Sequence, residues 1–131
     1  KIFSNRLRDL LYVQKTDETR QLHLLKFGRH FRLDKECKLI VGRSKNDNEQ
    51  ILFWHDKTRD IRLGHAQMAG PDVVLLGNFS DAHIKTAAQI TAGYTKSKPG
   101  ETALIKVVEK GKETLVQVLT PLPGAFEDLM I

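Results

Sequence analysis

Cysteine is nearly missing from this chain: Cys37 stands alone among 131 residues. One cysteine excludes an intramolecular disulfide and a thiolate metal cluster. With no CxxC partner it reads as a strand residue, a reactive thiol being the alternative. Its scarcity fits a cytoplasmic protein. Long apolar runs are missing too: no stretch of roughly 18 apolar residues exists, which excludes a membrane-spanning helix. Hydrophobic residues make up 40%, under the usual ~45–50% but enough for one core. The start, Lys1-Ile2-Phe3-Ser4, has neither an initiator methionine nor the apolar stretch of a signal peptide. It reads as a cut through a longer chain, with processing as the alternative.

Residue types that carry catalysis are present but not arranged for it. None of His23, His30, His55, His65 and His83 stands at zinc-binding spacing such as HExxH. Each falls in a predicted strand or near a helix end and reads as a packing or surface residue. His30 and His65 are candidates to face phosphate. No GxxxxGK[ST] loop occurs, although Gly42-Arg43-Ser44 opens a helix after a strand, where free N–H groups favour an anion. Asp56 and Asp60 lie in a charged loop and read as solvated. An independent enzyme is therefore the weakest reading, and no cofactor is expected in this segment.

What the chain does have is positive charge in one place. It carries 21 basic and 16 acidic residues, a net +5. Lys26, Arg29, Arg32, Lys35, Lys38, Arg43 and Lys45 stand against only Asp34 and Glu36, so this one segment holds the whole excess. Such a concentration is the usual footprint of a phosphate-backbone partner, a solvated basic hairpin being the alternative.

The hydrophobic pattern predicts an α+β fold: a mostly antiparallel sheet of about six strands, two packed helices and an extra N-terminal helix. Residues 4–14 read as that helix, capped by Ser4 and striped by Leu7, Leu10 and Leu11. The polar run 15–19 reads as a linker, so residues 1–20 are expected to belong to a preceding domain. Residues 22–33 read as a long strand with Leu25, Phe27, Phe31 and Leu33 on one face. Lys26, Gly28, His30 and Arg32 would share the solvent face. Arg29 falls on the phenylalanine side, which demands either a bulge at Gly28 or a buried partner.

A second strand follows at 38–42, then a helix at 45–55 capped by Ser44, with Asp47 in its first turn. Asn48 lies one turn before Leu52, so its amide is expected to be buried and bonded to backbone. Strands are predicted at 60–66 and 72–77, a helix at 81–95 capped by Ser80, and a hairpin at 102–110 and 113–120. Residues 21–124 make one domain, and 125–131 form an apolar tail.

Several blocks carry a resemblance in their order: Gly28-Arg29-His30-Phe31-Arg32-Leu33, Val41-Gly42-Arg43-Ser44-Lys45-Asn46-Asp47-Asn48, Asp60 through Gly70-Pro71 to Val74, and Ala87-Ala88 to Tyr94. This set resembles the NFACT-R RNA-binding domain. It is closer to the variant fused behind PP-loop ATPase domains in predicted tRNA thiouridylases. Phe3-Ser4-x-x-Leu7-x-x-Leu10-Leu11 is similar to the last helix of such a catalytic domain. One departure stands out: an aromatic-His pair follows the Asp in the family, whereas Ile61-Arg62-Leu63-Gly64-His65 follows Asp60 here.

The resemblance implies a C-terminal domain that binds RNA, tRNA above all. ATP use and thiolation would belong to an N-terminal PP-loop domain in the parent chain. The RNA-binding candidates are Lys26, Arg29, His30, Arg32, Lys38, Arg43, Lys45, Asn48, Arg62 and His65, with no catalytic or metal-binding residue. For Arg43 an ion pair with Asp47 or Asp60 competes with a phosphate contact. The alternative function is a protein-interaction or dimerisation module using Phe126, Leu129, Met130 and Ile131.

Overall fold

Val73-Val74-Leu75-Leu76 is apolar on both sides of the chain, so this strand must be covered on both faces. In the computed structural model, which describes residues 2–14 and 18–131, it is. The elements run α1 (Ile2–Arg8), a π-helical continuation (Asp9–Gln14), α2 (Thr19–Leu24), β1 (Arg29–Asp34), β2 (Cys37–Val41) and α3 (Lys45–Trp54). They continue through β3 (Ile61–His65), β4 (Val73–Gly77), α4 (Asp81–Gly93), β5 (Thr102–Glu109), β6 (Lys112–Leu119) and a 3-10 turn (Glu127–Leu129). The strands form one sheet in the order β1-β2-β4-β3-β5-β6, antiparallel at every step. The α+β architecture expected from the pattern is the one observed.

The sheet has a core on each side. Phe31, Leu39, Val41, Leu63, Val73, Leu75, Ile105 and Val107 face α4, where Ala87, Ala88 and Ala92 let the helix backbone approach closely. Ile40, Val74 and Leu76 point the other way, under Leu24, Ile51 and Trp54 of α2 and α3. Each fully buried aliphatic side chain here contributes about 1.5–3 kcal/mol. Ser44 and Ser80 cap α3 and α4 as expected, accepting from the backbone N–H of Asp47 (3.1 Å) and His83 (3.4 Å).

Three expectations change. Residues 19–24 are helical, so the long strand predicted at 22–33 begins only at Arg29. Gln21, Leu24 and Leu25 are buried at i, i+3 and i+4 spacing, a helical stripe that a short apolar run hides inside an alternating one. Ser4 lies inside α1 rather than capping it, and residues 15–17 of the expected linker lie outside the described residues. Most consequentially, the outer side of β1 is not solvent. Leu10 is fully buried, Arg6 donates to the carbonyls of Leu25 (3.0 Å) and Gly28 (2.8 Å), and Asp9 bonds Arg32. The helical segment 2–14 therefore packs on this domain.

The C-terminal tail is folded in as well. Phe126 and Leu129 pack against the α4-side core, Met130 bridges Phe31, and the Ile131 N–H donates to the His30 carbonyl at 2.9 Å.

Candidate nucleic-acid interface

Counted along the sequence, residues 26–45 are one basic patch; folded, they are not. His30 is fully buried and Lys38 is 1% exposed, both close to Arg6 of the segment 2–14. His30 sends Nε2 toward the Phe27 carbonyl at 2.9 Å. Burial first, then the nearby Lys38 and Arg6 charges, hold its ring well below the usual histidine range. Among the described residues its Nδ1 and the Nε of Arg6 lack hydrogen-bond partners. Arg32 is spent on Asp9 and on Gln14 Oε1 (2.9 Å). Arg29 sits on the opposite side of β1, its guanidinium 4.7 Å from the centre of the Tyr94 ring. The period-two assignment was right about its side, and the ring answers the need for a partner with about 0.5–1 kcal/mol of cation–π attraction. The expected solvent face of Lys26, His30 and Arg32 is thus reduced to the exposed Lys26.

The segment where β2 turns into α3 keeps its cations in solvent. Arg43 and Lys45 are exposed, the Arg43 side chain by 43%. Of the two partners considered for Arg43, Asp47 is the one observed, through Nε at 3.2 Å. Asp60 is taken by Arg20. The same Asp47 oxygen accepts the Arg43 backbone N–H, so a side-chain carboxylate already serves the helix start.

Asn48 is half-buried, and its Oδ1 accepts from the Asp72 backbone N–H at 3.2 Å, joining α3 to the start of β4. That oxygen fills the space a Cβ on residue 42 would need, which accounts for the glycine in Val41-Gly42-Arg43. Asn48→Leu leaves the Asp72 N–H without its acceptor and should cost about 1–3 kcal/mol. A melting temperature equal to the wild type's would show that water replaces the amide.

Asp60 was read as solvated and is not. It is 3% exposed and accepts from Arg20 Nη1 (2.6 Å), Arg20 Nη2 (3.2 Å) and the Asp56 N–H (2.8 Å). It anchors the start of β3, where alternation then places Ile61 and Leu63 in the core and Arg62 and Gly64 on the other side. His65 accepts the Gln67 N–H on Nδ1 at 3.0 Å. Arg62 pairs in register with Val108, and Gly64 with Lys106, so Arg62 and Lys106 share one sheet face. Lys57 and Lys110 stand at one end of that face. Lys57, Lys106 and Lys110 were not singled out from sequence. The signal for Lys106 was available: Ala103, Ile105 and Val107 point inward, so Lys106 points out.

The sequence matches the family described as "NFACT protein RNA binding domain" over residues 28–125. Among solved structures the chain is similar to the C-terminal part of the fibronectin/fibrinogen-binding protein from Streptococcus suis. The TM-score is 0.69 at 16% identity, over 95% of this chain and 58% of that one. The likeness is one of fold, and this chain spans little more than half of that structure's length. No curated protein matches the chain in sequence.

Proposed function

Because this chain belongs to the NFACT protein RNA-binding domain family, with most of its length inside the match, we propose that its RNA is tRNA. We propose further that it serves as the C-terminal domain of a tRNA-modifying protein with a PP-loop ATPase domain, and that it holds tRNA through phosphate contacts. The observation that carries this reading is the ordered set of blocks around Gly42-Arg43-Ser44-Lys45, whose two cations stand in solvent at a helix start. The apolar tail that would serve a protein-interaction module is largely used inside the domain, with Phe126 and Leu129 against the core.

The pair to test is Arg43 and Lys45, since Lys38 is buried and Arg32 engaged. Each phosphate contact releases counterions, so affinity falls steeply with salt. Replacing both residues with glutamine should weaken tRNA binding and reduce the slope of log affinity against log salt by about 1–2. Asp47 is buried but keeps the Arg43 backbone N–H and the half-exposed position 43 beside it, so the variant stays folded. An unchanged slope would exclude these two residues from the interface.

A further inference from the structure

The sheet face opposite α4 is only half covered. Over β1, β2 and β4 it lies under the segment 2–14, α2 and α3. Over β3, β5 and β6 it is open among the described residues, and Leu115 of β6, paired with Lys106, is 59% exposed. Two cavities of about 200 and 230 Å³ lie end to end along this open half, sharing Arg62 and Val108. One is bounded by Lys57 and Lys110, the other by Gly64, His65 and Lys106. Together they form a single trough running along β3 and β5.

Its charge is one-sided. Lys57, Arg62, Lys106 and Lys110 line it, against Asp60 and Asp72. Asp60 is already answered by Arg20. Asp72 lies beside Arg62, whose positive charge offsets its own.

The floor is Gly64, and nothing in the fold explains that glycine. Its φ is not positive, so the backbone does not demand it. A Cβ built there meets no atom within 4 Å, so packing does not demand it either. A glycine inside a strand weakens the strand, and it commonly marks a place where a ligand approaches the backbone closely. Here it keeps the floor of a cationic trough flat. That floor is two strands wide, with neighbouring strands about 4.8 Å apart, which suits one chain of a polyanion and not the broad backbone of a duplex. No Phe, Tyr or Trp occurs in β3, β5 or β6. The planar groups along the trough on which bases can stack are the His55 and His65 imidazoles and the Arg62 guanidinium.

Resting on the RNA-binding reading above, we propose that this trough seats a single-stranded segment of the bound RNA. The strand lies along β3 with its phosphates on Lys57, Arg62, Lys106 and Lys110 and its sugars over Gly64. Recognition is of the backbone and tolerant of sequence.

The test uses the full chain with two probes, a 12-nucleotide oligouridylate and a 16-base-pair RNA duplex. Gly64→Leu fills the floor without removing a charge. It should lower oligouridylate affinity at least tenfold while duplex affinity and melting temperature hold. A second variant, Arg62→Gln with Lys106→Gln, leaves the floor intact and should reduce the oligouridylate salt slope by about 1–2. Wild-type oligouridylate affinity in Gly64→Leu would overturn the proposal, as would an equal loss of both probes. If the unsubstituted protein binds neither probe, the RNA-binding reading itself falls, an outcome distinct from failure of the trough.

Discussion

Asp60→Ala should destabilise the domain by about 3–5 kcal/mol, the cost of removing one member of a buried ion pair and stranding the other. Arg20 is held by two hydrogen bonds to Asp60 across 40 positions of sequence, and it also bonds Glu18 Oε1 at 2.6 Å. The pair is a joint between α2 and the start of β3, and the Asp56 N–H loses its acceptor with it. Since folded domains have only about 5–15 kcal/mol in hand, this loss leaves a domain on the edge of unfolding. Asp60→Asn, which keeps an acceptor for Asp56 but loses the charge, should fall between alanine and wild type. The double replacement Arg20→Met with Asp60→Leu should be milder than Asp60→Ala alone, because no charge is left buried. Urea unfolding gives all three numbers. A midpoint for Asp60→Ala within the equivalent of about 1 kcal/mol of wild type would mean that water reaches Arg20.

Lys38→Met should act in the opposite direction, stabilising the domain by about 1–4 kcal/mol at pH 7, as when a buried charge is exchanged for an apolar side chain. Burial pulls the Lys38 ammonium down to about 7, the neighbouring Arg32 pulls the same way, and Asp9 only partly opposes them. The folded-state value lies below the unfolded one, so between pH 7 and about 10.4 the unfolded chain binds more protons. Stability therefore rises with pH in that window, and the penalty is fully present below pH 7. His30, held neutral by its surroundings, adds to the loss of stability below about pH 6.5.

Cys37 works against Lys38 at the alkaline end. Burial pushes its thiol up to about 11 from an ordinary 9.0, so the folded state loses stability as pH rises between those values. The net climb belongs to pH 7–9, with a slope of up to about 1.4 kcal/mol per pH unit for one proton. Lys38→Met should abolish it. A flat wild-type profile across that range, or a destabilised Lys38→Met, would show that the ammonium stays charged in the fold.

Lys38 also marks the limit of what a linear sequence displays. Charge can be counted along a sequence, but cover cannot. The alternation placed His30 and Arg32 on one side of β1 correctly, and the register sets Lys38 opposite Arg32. Nothing in residues 26–45 says that a helical segment some 20 positions upstream lies over that side. Where a segment carries a single period, the pattern was enough: α4 with its small residues, the β5–β6 hairpin, and β4 with its doubly apolar run were all legible. Thr19–Leu24 was not, because Leu22 and Leu24 alternate as in a strand while Gln21, Leu24 and Leu25 recur at helical spacing. Of the RNA-binding residues expected from sequence, Arg62 and His65 line the trough along β3. Lys106 and Lys110 were passed over as ordinary hairpin charges, and Gly64 as a departure from a familiar loop. Their meaning appears only when β3 is set beside β5.

The bridge from Met130 to Phe31 has a consequence for how copies of this domain meet. A sheet left with bare rows of N–H and C=O groups on two sides can add neighbours at both ends and grow into a fibre. Here the β1 side carries the tail, through that bridge and the Ile131 N–H, and β6 is the other outer strand. With the β1 edge occupied at His30 and Phe31, strand-to-strand association is directed to β6, and pairing through β6 alone closes on itself after two molecules. Docking of the seven-residue tail is thus what separates a terminating association from an open-ended one.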